Sequence, residues 1–254
     1  MARSDELGAG DAVRGARWLA LALALAALTL TGCETTAEKS AQLQRQAKRV
    51  TLDEKGLSIT RESAEVNVVS TTVVRDSERA AAVVTLHNSS AHAQRGVPIA
   101  ITVKDARGRT LFENNGAGVE SALVSLPSIG PHATITWVDD QLPVSGAPAS
   151  VSARVGEAPN VAGSLPRLAI GATQLSEDPA SGLVATGSVR NRSQIEQKSL
   201  VLFGVARRAG KIVAAGRAVV PELAPNASVS FQVSLVGDAH GAQLNFVAPP
   251  TSFA

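Results

Sequence analysis

From about residue 60 onward the chain alternates between short apolar runs and polar breaks. The cleanest stretch is Ser228-Val229-Ser230-Phe231-Gln232-Val233-Ser234-Leu235. Its period of two places Val229, Phe231, Val233 and Leu235 on one face. A strand of this kind belongs to a sheet with one wet side. Ala133-Thr134-Ile135-Thr136-Trp137 has the same pattern, and no run keeps a helical period. Val, Ile, Thr and Ala clusters broken by Gly, Pro, Asn and Asp predict strands near 64–74, 80–87, 97–105, 109–113, 121–126, 132–138 and 150–156. A second set is predicted near 167–175, 183–190, 198–207, 211–219, 227–236 and 242–247. Asn88 and Asn191 fall at strand ends, where their side chains suit a turn. Gly108 and Gly210 fall at hairpin tips, where positive φ is cheap for Gly.

The two sets are copies of one pattern. Leu126-Pro127-Ser128-Ile129-Gly130-Pro131-His132-Ala133 aligns with Val220-Pro221-Glu222-Leu223-Ala224-Pro225-Asn226-Ala227, and Trp137 falls on Phe231. Leu86-His87-Asn88-Ser89-Ser90 aligns with Val189-Arg190-Asn191-Arg192-Ser193, and Ala106-Arg107-Gly108-Arg109 with Arg208-Ala209-Gly210-Lys211. The first copy is eight residues longer between Gly108 and Pro127, and Glu113-Asn114-Asn115-Gly116-Ala117-Gly118 lies in that interval. Two units of about 90 residues are too long for solenoid repeats and fit two sandwich domains. The expected division is 60–156 for the first, 167–254 for the second, and a linker at 157–166 whose prolines limit flexibility somewhat and whose glycines restore it.

Ahead of these copies, Arg14 and Arg17 precede an apolar run from Trp18 to Leu30 that ends in Leu30-Thr31-Gly32-Cys33. The run is short for a membrane span, which takes about 20 apolar residues. A positive flank, a short apolar core and small residues at its end make a secretory signal. Leu30-Thr31-Gly32-Cys33 resembles the lipobox of bacterial lipoprotein signal peptides. That resemblance implies removal of residues 1–32 and a diacylglycerol thioether on Cys33, often with an amide-linked third chain. One acyl chain anchors marginally, and two or three make the attachment stable at about 0.8 kcal/mol per buried methylene. The expected location is the cell envelope, with the chain lipid-anchored and facing away from the cytoplasm; which membrane holds it stays open. Residues 33–59, rich in Gln, Lys and Arg, read as a polar tether.

Within the copies, a long strand, a Gly hairpin, a second strand, a proline turn and an alternating strand together resemble the FxLYD domain. This is an immunoglobulin-like module of bacterial surface lipoproteins. Ile101-Thr102-Val103-Lys104-Asp105 keeps two apolar positions and the Asp; Phe203-Gly204-Val205-Ala206-Arg207 keeps Phe and an apolar third residue. The chain has no Tyr, so the name pattern is incomplete in both copies. The resemblance implies an all-β fold of two tandem immunoglobulin-like β-sandwich domains and carries no catalytic or ligand residues.

Composition adds little chemistry. The segment before Cys33 removes three charges of each sign, so the balance stays at +2 and gives no electrostatic case for a nucleic-acid partner. Cys33 is the sole cysteine, which leaves no intrachain disulfide. His87, His92, His132 and His240 lack the spacing of a zinc site, so no metal or other cofactor is expected. Asp139-Asp140 and Glu177-Asp178 read as solvated turns. No nucleophile elbow, P-loop or dinucleotide fingerprint occurs. Trp137, Phe203, Phe231 and Phe246 sit in inward patterns; Phe112 and Phe253 do not.

The sequence therefore predicts a non-enzymatic, membrane-anchored interaction or envelope-structural module. Its partners are the membrane, through the lipid on Cys33, and an envelope protein of unspecified identity. Glu113, Asn114 and Asn115 are the expected contact loop. The alternatives are a small-ligand or metal-binding lipoprotein serving a transporter or sensor, and an accessory subunit of an envelope enzyme.

Overall fold

The computed structural model describes residues 56–143, 145–178 and 182–253. Every regular element there is a β-strand, apart from one 3-10 turn at Ser121–Leu123. The first half contains Val66–Arg75 (β1), Ala80–Asn88 (β2), Gln94–Asp105 (β3), Thr110–Glu113 (β4), Ser125–Ile129 (β5), Thr134–Leu142 (β6) and Pro148–Val155 (β7). The second contains Leu168–Ile170 (β8), Gln174–Asp178 (β9), Gly182–Asn191 (β10), Gln197–Arg208 (β11), Lys211–Leu223 (β12), Ser228–Ser234 (β13), Val236–Gly237 (β14) and Gln243–Val247 (β15). All pairings between named strands are antiparallel.

Each half is a sandwich of two sheets. In the first, β1-β2-β6 faces a sheet in which β3 pairs with β4, β5 and β7. In the second, β13-β10 with β8 and β9 faces β14-β12-β11-β15. The all-β immunoglobulin-like reading therefore holds. The alternating face of β13 is inward as expected: Phe231 and Val233 are buried, and the Phe231 ring tilts against Phe246 at 5.3 Å between centroids. Trp137 is buried at the matching site, opposite Val84, as Phe231 is opposite Gly187.

Three expected strands differ. The 167–175 strand divides into β8 and β9, which both pair with β10 and are separated at Gly171. The 227–236 strand stops at Ser234, and β14 leaves its sheet to pair with β12. The 121–126 strand is the 3-10 turn, and β5 begins at Ser125.

The extra residues of the first copy explain that last difference. In the second copy β12 runs unbroken along β11. In the first copy the equivalent strand is cut into β4 and β5, with 114–124 looping out between them. Asn114 fills the gap with its side chain. Its Oδ1 accepts from Ile101 N at 2.8 Å, and its Nδ2 donates to Ile99 O at 2.8 Å and Leu123 O at 2.7 Å. The amide thus replaces the two backbone groups that a continuous strand would supply to β3.

The strand-end asparagines are equally consumed. Asn88 and Asn191 are fully buried. Each accepts from the backbone N–H and the hydroxyl of a serine two residues on. Each then donates to carbonyls across the turn. Their Asn-x-Ser sequences are turn chemistry, and the folded chain leaves no amide free to modify. His132 and Asn226, the matched turn residues, share the left-handed conformation at φ 52 and φ 58. Asp105 closes the β3–β4 hairpin by accepting from Arg107 N, Arg109 N and Arg109 Nε. The Arg109 backbone bond first, and the rest of that set with it, holds its carboxyl below the ordinary value.

Candidate functional site

In the second sandwich the outer face of β11 is not wet. Along β11, Leu200, Leu202 and Ala206 enter the core of the second sandwich, whereas Val201, Phe203 and Val205 enter the core of the first. Ala215 and Val236 join them on the first side. A Val or Phe buried in this way contributes about 1.5–3 kcal/mol, so four such side chains, with Ala215, form a dry seam. The segment expected to be a partly flexible linker is also pinned. Glu157 N donates to Arg61 O, Arg95 N to Pro159 O and Val161 N to Ala93 O. The described residues belong to one compact unit.

Two arginines lock the seam from opposite sides. Arg79, from the β1–β2 hairpin, donates to Ser234 Oγ at 2.6 Å and Leu235 O at 2.8 Å. Arg217, from β12, reaches the other way. Its Nε donates to Asp140 Oδ1 at 3.0 Å, and its two terminal nitrogens donate to both Glu120 oxygens at 3.1 and 2.8 Å. Its side chain is 7% exposed. The Arg217 hydrogen bonds hold the Glu120 carboxyl below its ordinary value.

Asp139-Asp140 is therefore not a solvated turn. Both residues lie within β6, and Asp139 is buried with Oδ2 lacking a hydrogen-bond partner among the described residues. Burial pushes the Asp139 carboxyl up to about 6 from 3.8. Asp140 acts in the same direction, against the Gln141 N–H and Arg217. A carboxyl raised on folding binds its proton more tightly in the folded chain. Stability should therefore rise as pH falls from about 6 toward about 4. Asp76, Asp105 and Asp238 are lowered from 3.8, so their contributions are lost below that window, and that of Glu120, lowered from 4.5, starts to be lost only at its acid end. His240, on Asp238 Oδ1 at 2.9 Å and Glu177 Oε1 at 3.2 Å, is raised by the Asp238 hydrogen bond above all. It shares the sign of Asp139, so a variant is needed to separate them. Asp139→Asn should stabilise by about 1–2 kcal/mol at about pH 8, since it removes the charge but leaves amide N–H groups unpaired. Urea unfolding should show that difference vanishing by about pH 4. Glu177-Asp178, the other expected turn, lies in β9.

Of the expected contact loop, Asn114 is internal and Glu113 and Asn115 are exposed. Asn114 is fully buried and consumed by β3, a correction to its reading as a partner contact. Asn115 is exposed, with Gly56 lying so close to its backbone carbonyl that any Cβ there would collide with it. Glu113 stays at the surface, paired with Thr102 Oγ1 at 3.2 Å and Asn115 Nδ2 at 3.3 Å. Farther on, Glu120 meets Arg217, and Ala122 O accepts from Trp137 Nε1 at 2.9 Å. The insertion thus braces one sandwich against the other. Leu30, Thr31, Gly32 and Cys33 lie outside the described residues.

Beside the seam opens a cavity of about 480 Å³. Its walls come from equivalent places in the two copies. Gln94 pairs with Ile129 and Gln197 with Leu223; one residue later Arg95 pairs with Ser128 and Lys198 with Glu222. The next residue of each strand is left-handed, Gly96 at φ 58 and Ser199 at φ 47, with the pairing register unbroken on either side. Both left-handed residues and both cations line the cavity. A left-handed conformation is free for Gly but costs a residue such as Ser about 1 kcal/mol. The C-terminal strap closes the far wall. Buried Gln197 accepts from Thr251 N at 2.9 Å and donates to Ser252 O at 3.2 Å, which brings Phe253 to the cavity. Phe112, the other aromatic outside the inward patterns, packs on the first core. No local motif marks the cavity. The readable signal was the repeat itself, which sets Arg95-Gly96 opposite Lys198-Ser199.

No family model matches the chain, and no curated protein matches it. Among solved structures the chain is similar to an exo-chitosanase, CsxA, of Amycolatopsis orientalis. The identity is 13%, the TM-score 0.26, and coverage is 72% of this chain and 26% of the other. Two complexes of variants of that enzyme with PNP-beta-D-glucosamine align at 14% identity and the same TM-score. The chain spans about a quarter of the length of these structures.

Proposed function

We propose that the chain is a non-enzymatic, lipid-anchored envelope protein. Its two FxLYD-like sandwiches, fused into one rigid body, hold a binding surface off the membrane. The anchor rests on Leu30-Thr31-Gly32-Cys33 after a short apolar run with a positive flank. The observation that carries the module reading is the seam: Val201, Phe203 and Val205 are spent on joining the two sandwiches. A joint of that kind fixes the relative placement of surfaces from both copies. The polar stretch 33–59 supplies reach.

Metabolic labelling with a palmitate analogue tests the anchor. The wild-type chain should carry label and partition with membranes, and Cys33→Ala should lose both. A wild-type chain that takes up no label, or a labelled Cys33→Ala chain, would remove the anchor.

A further inference from the structure

We propose that the cavity beside the seam is a binding site for a small acidic saccharide, a sugar ring carrying a carboxylate. The proposal does not rest on the lipid anchor, and a chain shown to be unlipidated would leave it standing.

Three observations converge. First, the cavity carries two cations and no acid in its lining. Arg95 is exposed, and its guanidinium has no hydrogen bond or ion pair among the described residues. Lys198 reaches Glu196 at 3.3 Å but is 72% exposed, so that partner is readily exchanged. Two cations at matched positions of the two copies suit one carboxylate held between them.

Second, Ser199 keeps a side chain where its counterpart is Gly. A Cβ at Gly96, which lines the cavity, would meet nothing within 4 Å, so the space there is open. Gly would relieve the backbone at Ser199, yet the strained residue retains a hydroxyl at the cavity wall. Strain retained beside a cavity points to use of the side chain.

Third, the rest of the lining matches a sugar. Ser121 supplies a hydroxyl, Ser125 and Thr251, whose hydroxyls donate to Ser121 O and Lys198 O, supply acceptor oxygens for sugar O–H groups, and Phe253 supplies an aromatic surface for the C–H face of a ring. The volume is within the range of small-molecule sites. A bare carboxylate would leave the hydroxyls and Phe253 unused, and a neutral sugar would leave both cations unused.

The test is a titration of the full-length, isotope-labelled chain by NMR, using D-glucuronate, D-glucose and acetate as probes. Glucuronate should give saturable shifts at Ser199, Lys198 and Thr251, with glucose and acetate each at least about tenfold weaker. Arg95→Ala and Lys198→Ala should each weaken glucuronate about tenfold. Ser199→Gly is the decisive variant. It should fold with an equal or higher thermal midpoint because the left-handed position suits Gly. It should nevertheless bind glucuronate several-fold more weakly. Absence of saturable shifts, equal binding of glucose or acetate, or full affinity in a folded Ser199→Gly chain would each overturn the assignment.

Discussion

Asn114→Ala should lower stability by about 3–5 kcal/mol, among the largest effects of any single substitution in this chain. The side chain is small and polar, and its volume explains little of that loss. What matters is what it leaves behind. Ile101 N–H, Ile99 C=O and Leu123 C=O each lose a partner at a buried position. A buried backbone group without a partner costs about 1–3 kcal/mol, with entering water accounting for the lower part of the range. For a body of this size the thermal midpoint should fall by about 10 °C. Asn114→Asp separates this account from simple loss of packing. The isosteric carboxylate can still accept from Ile101 N, but its second oxygen would face two carbonyls. Asp should therefore be no better than Ala, as measured by urea unfolding. If Asp matched wild type, the amide would not be standing in for a strand.

Much of the fold was legible because two-residue alternation and a duplicated turn pattern are local signals. Val229, Phe231 and Val233 announce an inward face without reference to anything distant. The placement of the extra residues was also legible, since the Gly and Pro spacings of the copies disagree. What those residues do was not. A loop of Glu, Asn and Gly has the composition of an exposed contact, and only the folded chain shows Asn114 completing a cut strand. The seam was hidden for a related reason. Leu200 to Ala206 is apolar without a break, which a reader of one sandwich takes for a buried strand. Both faces are indeed buried, but one of them lies in the other sandwich. Asp139 shows the reverse error. Two adjacent acids suggest a turn, whereas the strand continues through them and buries one. The cavity pairs Arg95 with Lys198 across roughly a hundred residues, a distance at which only the repeat gives warning.

Arg217→Ala should destabilise by about 3 kcal/mol, and the size of the loss follows from the carboxylates that stay behind. Asp140 is 18% exposed and keeps only the Arg217 backbone N–H at 3.1 Å once the guanidinium is gone. Removing one partner of a buried pair typically costs about 3–5 kcal/mol, and Glu120 at 48% exposure moderates that toward the lower end. Arg217→Lys keeps the charge but cannot span both carboxylates with a planar fork, so it should recover about half of the loss. The double-mutant cycle with Glu120→Gln should give a coupling of about 1 kcal/mol or more. Chemical denaturation followed by Trp137 fluorescence adds a second readout, because Trp137 donates to Ala122 in the loop that Glu120 anchors. If the triad clamps the sandwiches together, Arg217→Ala should make the Trp137 transition precede unfolding of the second sandwich. A single wild-type-like transition with additive effects would mean that the apolar seam alone joins the two. The clamp would then contribute nothing to the rigidity on which a shared binding surface depends.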